Sequence, residues 1–293
     1  MNKTSLKFVF FGGEPLGVPV LEELKAASLT PELIICNPDR PVGRKQKLTP
    51  PPVKLWAEQN NIETFQPTSY KDEGELTRLN QEKWDLFVVV AYNFILPKWC
   101  LELPKHGVLN VHPSLLPKLR GASPIRTAIK DGLREDIGVT IMQMDEEMDH
   151  GPILDQIYVP IADDNWPVSG PELDLALAHT GGTLLADVIP EWLAGNIDPQ
   201  EQDHDTATYC GRLTKEDSRL DLNPLNLPSG SEALVLLQKI KAFEGIGDTF
   251  FIHNGKRVKI KSALIENEKL SLKTVIPEGK NEITFSDYLK NTA

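Results

Sequence analysis

The run Leu86-Phe87-Val88-Val89-Val90-Ala91 carries no polar side chain. It is far shorter than the ~20 residues that cross a bilayer and too short for a core helix, so it reads as a strand buried on both faces. Such a strand needs a covering layer on each side, which a parallel sheet flanked by helices provides. Leu6-Lys7-Phe8-Val9-Phe10-Phe11 and Leu33-Ile34-Ile35-Cys36 read similarly, and Ile62-Glu63-Thr64-Phe65 adds a short third strand. Helical patterns separate them, with apolar Val18, Leu21 and Leu24 after the first strand and Val53, Leu55, Trp56 and Ala57 after the second. This alternation predicts an α/β fold built on a doubly wound parallel sheet.

The 293 residues are enough for that domain and a smaller one. Residues 171–193 carry Leu173, Leu175, Leu177, Leu184, Leu185 and Val188 around Gly181-Gly182, a pattern met by one long helix or two shorter ones. The apolar pattern loosens over residues 196–205, which read as a polar linker. A catalytic domain over residues 1–203 and a C-terminal domain over 204–293 follow. In the latter, a helix near residues 231–243 precedes strands at 249–253 and 256–261, with Asn254-Gly255 as the hairpin signal. A small β-barrel is expected there.

Cys36, Cys100 and Cys210 are widely spaced and odd in number, against both a disulfide framework and a zinc knuckle. The six histidines show no ligand spacing with cysteine or carboxylate, so no metal is implied. No apolar run reaches membrane-spanning length and the N-terminus leads into a strand, which predicts a cytoplasmic protein. The net charge of -11 argues against nucleic-acid binding through a global positive field. From Asp205 onward, however, 13 Lys/Arg face 12 Asp/Glu, so the negative charge is concentrated before that point. Any nucleic-acid contact must come from local basic patches.

The chemistry concentrates between Val108 and Leu154. Gly107-Val108-Leu109-Asn110-Val111-His112 reads as a strand beside the Leu86 strand, and alternation puts Asn110 and His112 on one face at its carboxyl end. In open parallel sheets ligands bind at those ends. Gly138-Val139-Thr140-Ile141-Met142-Gln143-Met144 is a further strand, leading into the acidic turn from Asp145 to Gly151. An amide, an imidazole and a carboxylate suit acyl transfer: Asn and protonated His meet a developing oxyanion, and the acid fixes the imidazole's orientation. No seryl or cysteinyl nucleophile is needed if the acceptor is an amine.

Asn110-x-His112-x-Ser114-Leu115-Leu116-Pro117, then Arg120-Gly121-Ala122-x-Pro124-Ile125, then M-Q-M-D-x-x-x-D-x-G ending at Asp149 and Gly151, together resemble the folate-dependent formyltransferases. The resemblance implies Asn110, His112 and Asp149 as catalytic residues and 10-formyltetrahydrofolate as formyl donor. It also implies folate contacts from Ser114, Leu115, Leu116 and Pro117, with a pterin pocket lined by Phe94, Ile95 and Leu96. The proline-rich segment of residues 37–50 is expected to be a loop without helix or strand. Its Pro38-Asp39-Arg40-Pro41-x-Gly43-Arg44-x-x-Lys47-Leu48 resembles a tRNA-contacting insertion of the family's tRNA-directed branch. That similarity implies methionyl initiator tRNA as acceptor, held by Arg40, Arg44, Lys45 and Lys47; separately, a monomer is expected.

Two local features depart from the family pattern. Gly12-Gly13-Glu14-Pro15 stands where G-T-P is usual, and lacking G-x-G-x-x-G it reads as a tight turn rather than a phosphate cradle. Ala242-Phe243-Glu244-Gly245-Ile246-Gly247 replaces A-F-x-P-W-P-G, which weakens the case for tRNA binding by the C-terminal domain. Arg257, Lys259 and Lys261 nonetheless alternate along one strand face, a candidate track for phosphates. The rival readings are an amino-sugar nucleotide as acceptor and a folate- or RNA-binding module without turnover.

Overall fold

A computed structural model of the chain describes residues 6–13, 16–43, 46–70 and 77–292. In chain order its elements begin with β1 (Phe8–Gly12), α1 (Gly17–Ala26), β2 (Leu33–Ile35), β3 (Arg40–Val42), β4 (Lys47–Thr49), α2 (Pro52–Gln59) and β5 (Glu63–Phe65). Next come α3 (Thr77–Asn80), β6 (Leu86–Val90), α4 (Lys98–Leu101), β7 (Val108–His112), β8 (Arg120–Gly121) and α5 (Pro124–Asp131). After them lie β9 (Gly138–Gln143), β10 (Ile153–Tyr158), α6 (Gly170–Ala194), β11 (Tyr209–Cys210) and α7 (Gly230–Phe243). The chain ends with β12 (Phe250–His253), β13 (Lys256–Glu266), β14 (Lys269–Pro277), β15 (Ile283–Thr284) and α8 (Phe285–Lys290).

The first compact unit, residues 1–120, 138–159 and 175–208, is built on a seven-stranded sheet of order β10-β9-β7-β6-β1-β2-β5. From β5 to β7 every neighbouring pair is parallel, whereas β9 runs antiparallel to β7 and β10 antiparallel to β9. The sheet is therefore mixed, with a parallel body and an antiparallel flank. β1 and β6 are buried at every position, as their unbroken apolar runs require. Each such side chain contributes about 1.5–3 kcal/mol when taken from water.

The glycines of α6 resolve the question of one helix or two: a single 25-residue helix runs through them. A Cβ at Gly181 would lie 2.6 Å from Val111 of β7 and 3.1 Å from Val139 of β9, and one at Gly182 would lie 2.8 Å from Glu23 of α1. The helix backbone thus rests directly on the sheet, facing Val111. Asn110 and His112, which alternate with Val111, lie on the opposite face of β7.

The segment of residues 37–50 corrects the expectation of an irregular loop. Arg40↔Thr49, Pro41↔Leu48 and Val42↔Lys47 pair as a two-stranded antiparallel ladder, with Gly43 at φ +72 in the turn. An isolated ribbon has edges on both sides, so Pro41 can sit in it without breaking a central ladder. Arg44 and Lys45, and likewise Glu14 and Pro15, lie outside the described residues. At the first βα turn a Cβ on Gly13 would fall 2.0 Å from Asn37 Nδ2, so close packing accounts for that glycine.

The second unit comprises residues 121–137, 160–174 and 209–293, so the two units interleave along the sequence. Its C-terminal part is an antiparallel sheet of order β12-β13-β14-β15 with α7 and α8. Leu220, Leu237, Ile240, Phe251, Val258, Leu272 and Phe285 belong to its core. Cys36, Cys100 and Cys210 are buried, and burial pushes the thiols of Cys36 and Cys100 up to about 12, which makes these two inert packing groups. No helix among the described residues is long and apolar enough to cross a membrane.

Overpacking at the α6 contact is predicted to destabilise the first unit. Gly181→Val should cost about 1–3 kcal/mol, lowering the urea midpoint; an unchanged midpoint would contradict this packing.

Candidate active site

β7 is held between β6 and β9, with Asn110 opposite Val89 on one side and Met142 on the other. Asn110 is half-buried and His112 is 4% exposed. Beyond β7 the chain turns sharply over residues 113–119. Thr140 of β9 ties this loop down, its Oγ1 accepting from Leu116 N (3.1 Å) and donating to the Ser114 carbonyl (2.7 Å). Gln156 of β10 donates to Thr140 Oγ1 (2.7 Å) and to the Leu116 carbonyl (2.8 Å). The loop is thus anchored by the antiparallel flank of the sheet.

His112 Nε2 lies 3.0 Å from the Leu119 carbonyl, which can only accept, so Nε2 carries a proton. Its Nδ1 is 3.6 Å from Asp149 Oδ1, longer than a hydrogen bond and within ion-pair range. Both ring nitrogens therefore face oxygen atoms. Asp149 sits at φ +52, a left-handed conformation that few non-glycine residues adopt. Gly151 follows it because a Cβ there would lie 2.1 Å from the Gln143 carbonyl.

Of the expected folate contacts, Ser114 is fully buried with Oγ donating to the Lys118 carbonyl at 2.6 Å, and Leu116 is also buried. Leu115 lies against Gly138. Phe94 packs its ring on Tyr70 and Tyr92, Leu96 is in the core, and Ile95 is 82% exposed. These three lie in an irregular segment before α4, and Phe94 and Leu96 share one core with Met144.

Sequence reasoning quoted Arg120 only as part of a motif and gave it no role, and it missed Gln202 and His204. Arg120 is 1% exposed, and its guanidinium donates to Gln202 Oε1 and to His204 Nδ1 (2.8 Å). The residues read as a polar linker are in fact fastened: Gln200 and Ile153 exchange two backbone hydrogen bonds, and Gln202 is 5% exposed. No composition signal distinguishes this glutamine from a solvated one.

Among the expected tRNA contacts, Arg40 and Lys47 are exposed on the β3–β4 hairpin. Its base is pinned by a polar network in which Lys54 Nζ reaches Asp39 Oδ1 (3.0 Å) and Gln66 Oε1 (2.8 Å). Gln66 in turn donates to Asp39 Oδ1 and to the Asn37 carbonyl. On β13, Lys259 and Lys261 share one carboxylate, Asp248, at 2.9 and 2.6 Å, while Arg257 lies over the Phe250 ring. The row of cations is therefore partly neutralised.

Residues 6–173 match the family model described as formyl transferase. The chain belongs to the formyl transferase family. This formyltransferase is 42% identical over 255 residues to the methionyl-tRNA formyltransferase of Halalkalibacterium halodurans, covering 87% of this chain and 77% of that protein. It is 40% identical over 216 residues to that of a Geobacillus species, covering 74% and 67% respectively. Among solved structures it superposes on methionyl-tRNA formyltransferase from Clostridium thermocellum with TM-score 0.59 at 15% identity, over 93% of this chain and 98% of that one. It matches an N-formyltransferase from Helicobacter canadensis, in complex with folinic acid and dTDP-3-aminofucose, with TM-score 0.60 at 18% identity, over 95% and 98%. These two likenesses establish the shared fold.

The hairpin base generates a pH prediction. Hydrogen bonds from Gln66 and Lys54 hold the Asp39 carboxyl below the ordinary carboxylate range. A depressed pKa means that the network's contribution is present above the unfolded value, near 3.9, and is lost as pH falls through the folded value. Amide resonances of residues 38–42 in wild-type protein should hold steady through the ordinary range on acid titration. In Lys54→Ala they should shift within it; identical midpoints would contradict the network.

Proposed function

We propose that this chain transfers the formyl group of 10-formyltetrahydrofolate to the α-amine of methionyl initiator tRNA, with Asn110, His112 and Asp149 as its catalytic residues. The observation that carries the reading is the placement of His112, at the carboxyl end of a parallel strand, against the Asp149 carboxylate. When bound, the folate supplies an activated formyl carbon. The amine forms the new bond to that carbon while the bond to the folate nitrogen breaks, one proton leaving the amine and one joining the folate. Asn110 and protonated His112 meet the negative charge developing on the formyl oxygen, and Asp149 orients His112. Ser114, Leu115, Leu116 and Pro117 form the folate-facing loop, with Phe94, Ile95 and Leu96 on the pterin side.

The acceptor assignment rests on the basic hairpin and on the methionyl-tRNA formyltransferases at about 40% identity. Arg40, Arg44, Lys45 and Lys47 are assigned the acceptor-stem phosphates, a local cationic cluster in an acidic part of the chain. Residues 1–203 carry the catalysis, and residues 204–293 add a second tRNA-binding surface through Arg257, Lys259 and Lys261, made weaker by Asp248. All these groups lie in one chain, so a monomer suffices, and the tRNA substrate sets the reaction in the cytoplasm.

An Arg44/Lys45/Lys47 triple alanine variant tests the acceptor. The salt slope of tRNA binding should fall by about one for each phosphate that the variant no longer neutralises, with folate affinity unchanged. Unaltered kcat/KM for methionyl-tRNA at every salt concentration, together with transfer to an amino-sugar nucleotide, would favour the sugar acceptor that the Helicobacter canadensis structure holds.

A further inference from the structure

We propose that Gln202, held from behind by Arg120, is a positioning residue that keeps Asp149 aimed at His112; this rests on the catalytic roles proposed above. Gln202 Nε2 donates to the Asp149 carbonyl at 3.0 Å and to the Gly151 carbonyl at 2.7 Å. One amide group thereby spans the turn in which Asp149 takes its left-handed backbone. That conformation persists only where the surroundings hold it.

The amide cannot flip. A guanidinium only donates, and Arg120 directs Nε (3.0 Å) and Nη2 (2.6 Å) at Gln202 Oε1. The oxygen must face Arg120, so the NH2 must face the two carbonyls. Arg120 is itself fixed: its Nη2 donates to His204 Nδ1, and the His204 ring stacks on His150 at 4.1 Å between centroids. His150 is tied by Nδ1 to Asp145 Oδ2 at 2.7 Å, at the start of the same acidic turn. The chain from Asp145 through the two imidazoles, Arg120 and Gln202 closes back on Asp149. Both ends of the turn that carries the carboxylate are therefore gripped by one polar array, buried at Arg120 and Gln202 and open to solvent at His204.

Gln202→Glu separates holding Arg120 from positioning Asp149. The glutamate still accepts from the guanidinium, so the fold around Arg120 should be retained, with a lowered melting temperature because its second oxygen faces the two carbonyls that the amide had satisfied. It has no proton for the Asp149 and Gly151 carbonyls, so kcat for transfer to methionyl-tRNA should fall about tenfold to a hundredfold, with KM for tRNA and affinity for folate unchanged. Since the effect runs through Asp149, adding Gln202→Glu to Asp149→Asn should cost less than a further twofold. Hydrogen–deuterium exchange over residues 145–153 should rise in Gln202→Glu. Should that variant not fold, Arg120→Lys, which keeps the buried charge and removes the two-donor hold on Oε1, is read the same way. A kcat within twofold of wild type, rate decreases that multiply with Asp149→Asn, or unchanged exchange would overturn the proposal. Failure of wild-type protein to formylate methionyl-tRNA would overturn the acceptor assignment alone, because exchange over the turn reads the hold of Gln202 directly.

Discussion

The contact between His112 and Asp149 depends on two backbone constraints that meet at the end of β7. A parallel strand stops at Pro113 with its last side chain buried, and an acidic turn is bent into the left-handed region so that its carboxylate faces that side chain. Neither constraint is local. β7 is fixed by β6 on one side and β9 on the other, and α6 presses glycine backbone onto Val111 beneath it. The antiparallel flank then serves a second purpose: β9 supplies Thr140 to the loop after β7, and its continuation carries Asp149.

Charge is arranged with similar economy. The chain as a whole carries -11, a balance that repels nucleic acid at long range. A substrate tRNA must then be met by short-range contacts whose geometry is held rigid. The polar network of Lys54, Asp39 and Gln66 gives the β3–β4 hairpin such a base. On β13 the opposite choice is visible, since Asp248 draws Lys259 and Lys261 to itself.

Much of the fold was legible because burial on both faces leaves a simple mark: β1, β2 and β6 are apolar runs bounded by turns, and Asn110 and His112 stand out within such a strand by period two alone. The family resemblance, not periodicity, singled out Asp149 from the acids around it. What stayed illegible was long-range. The prolines of residues 37–50 argued against pairing, yet a ribbon with two free edges tolerates Pro41. Gln202 lies in a run of polar residues and is buried only because Arg120, 82 positions away, needs an acceptor. The direction of β9 and the partner of Lys259 likewise depend on contacts that no window of sequence contains.

The central claim is that β7 delivers Asn110 and His112 to charge that develops during formyl transfer and is absent from the bound substrates. Single-turnover formylation of methionyl-tRNA by Asn110→Ala, with tRNA and folate affinities measured alongside, tests it most directly. The rate constant should fall by roughly 10²–10³ with both affinities preserved. Turnover near that of wild type, or a defect confined to binding, would contradict the account.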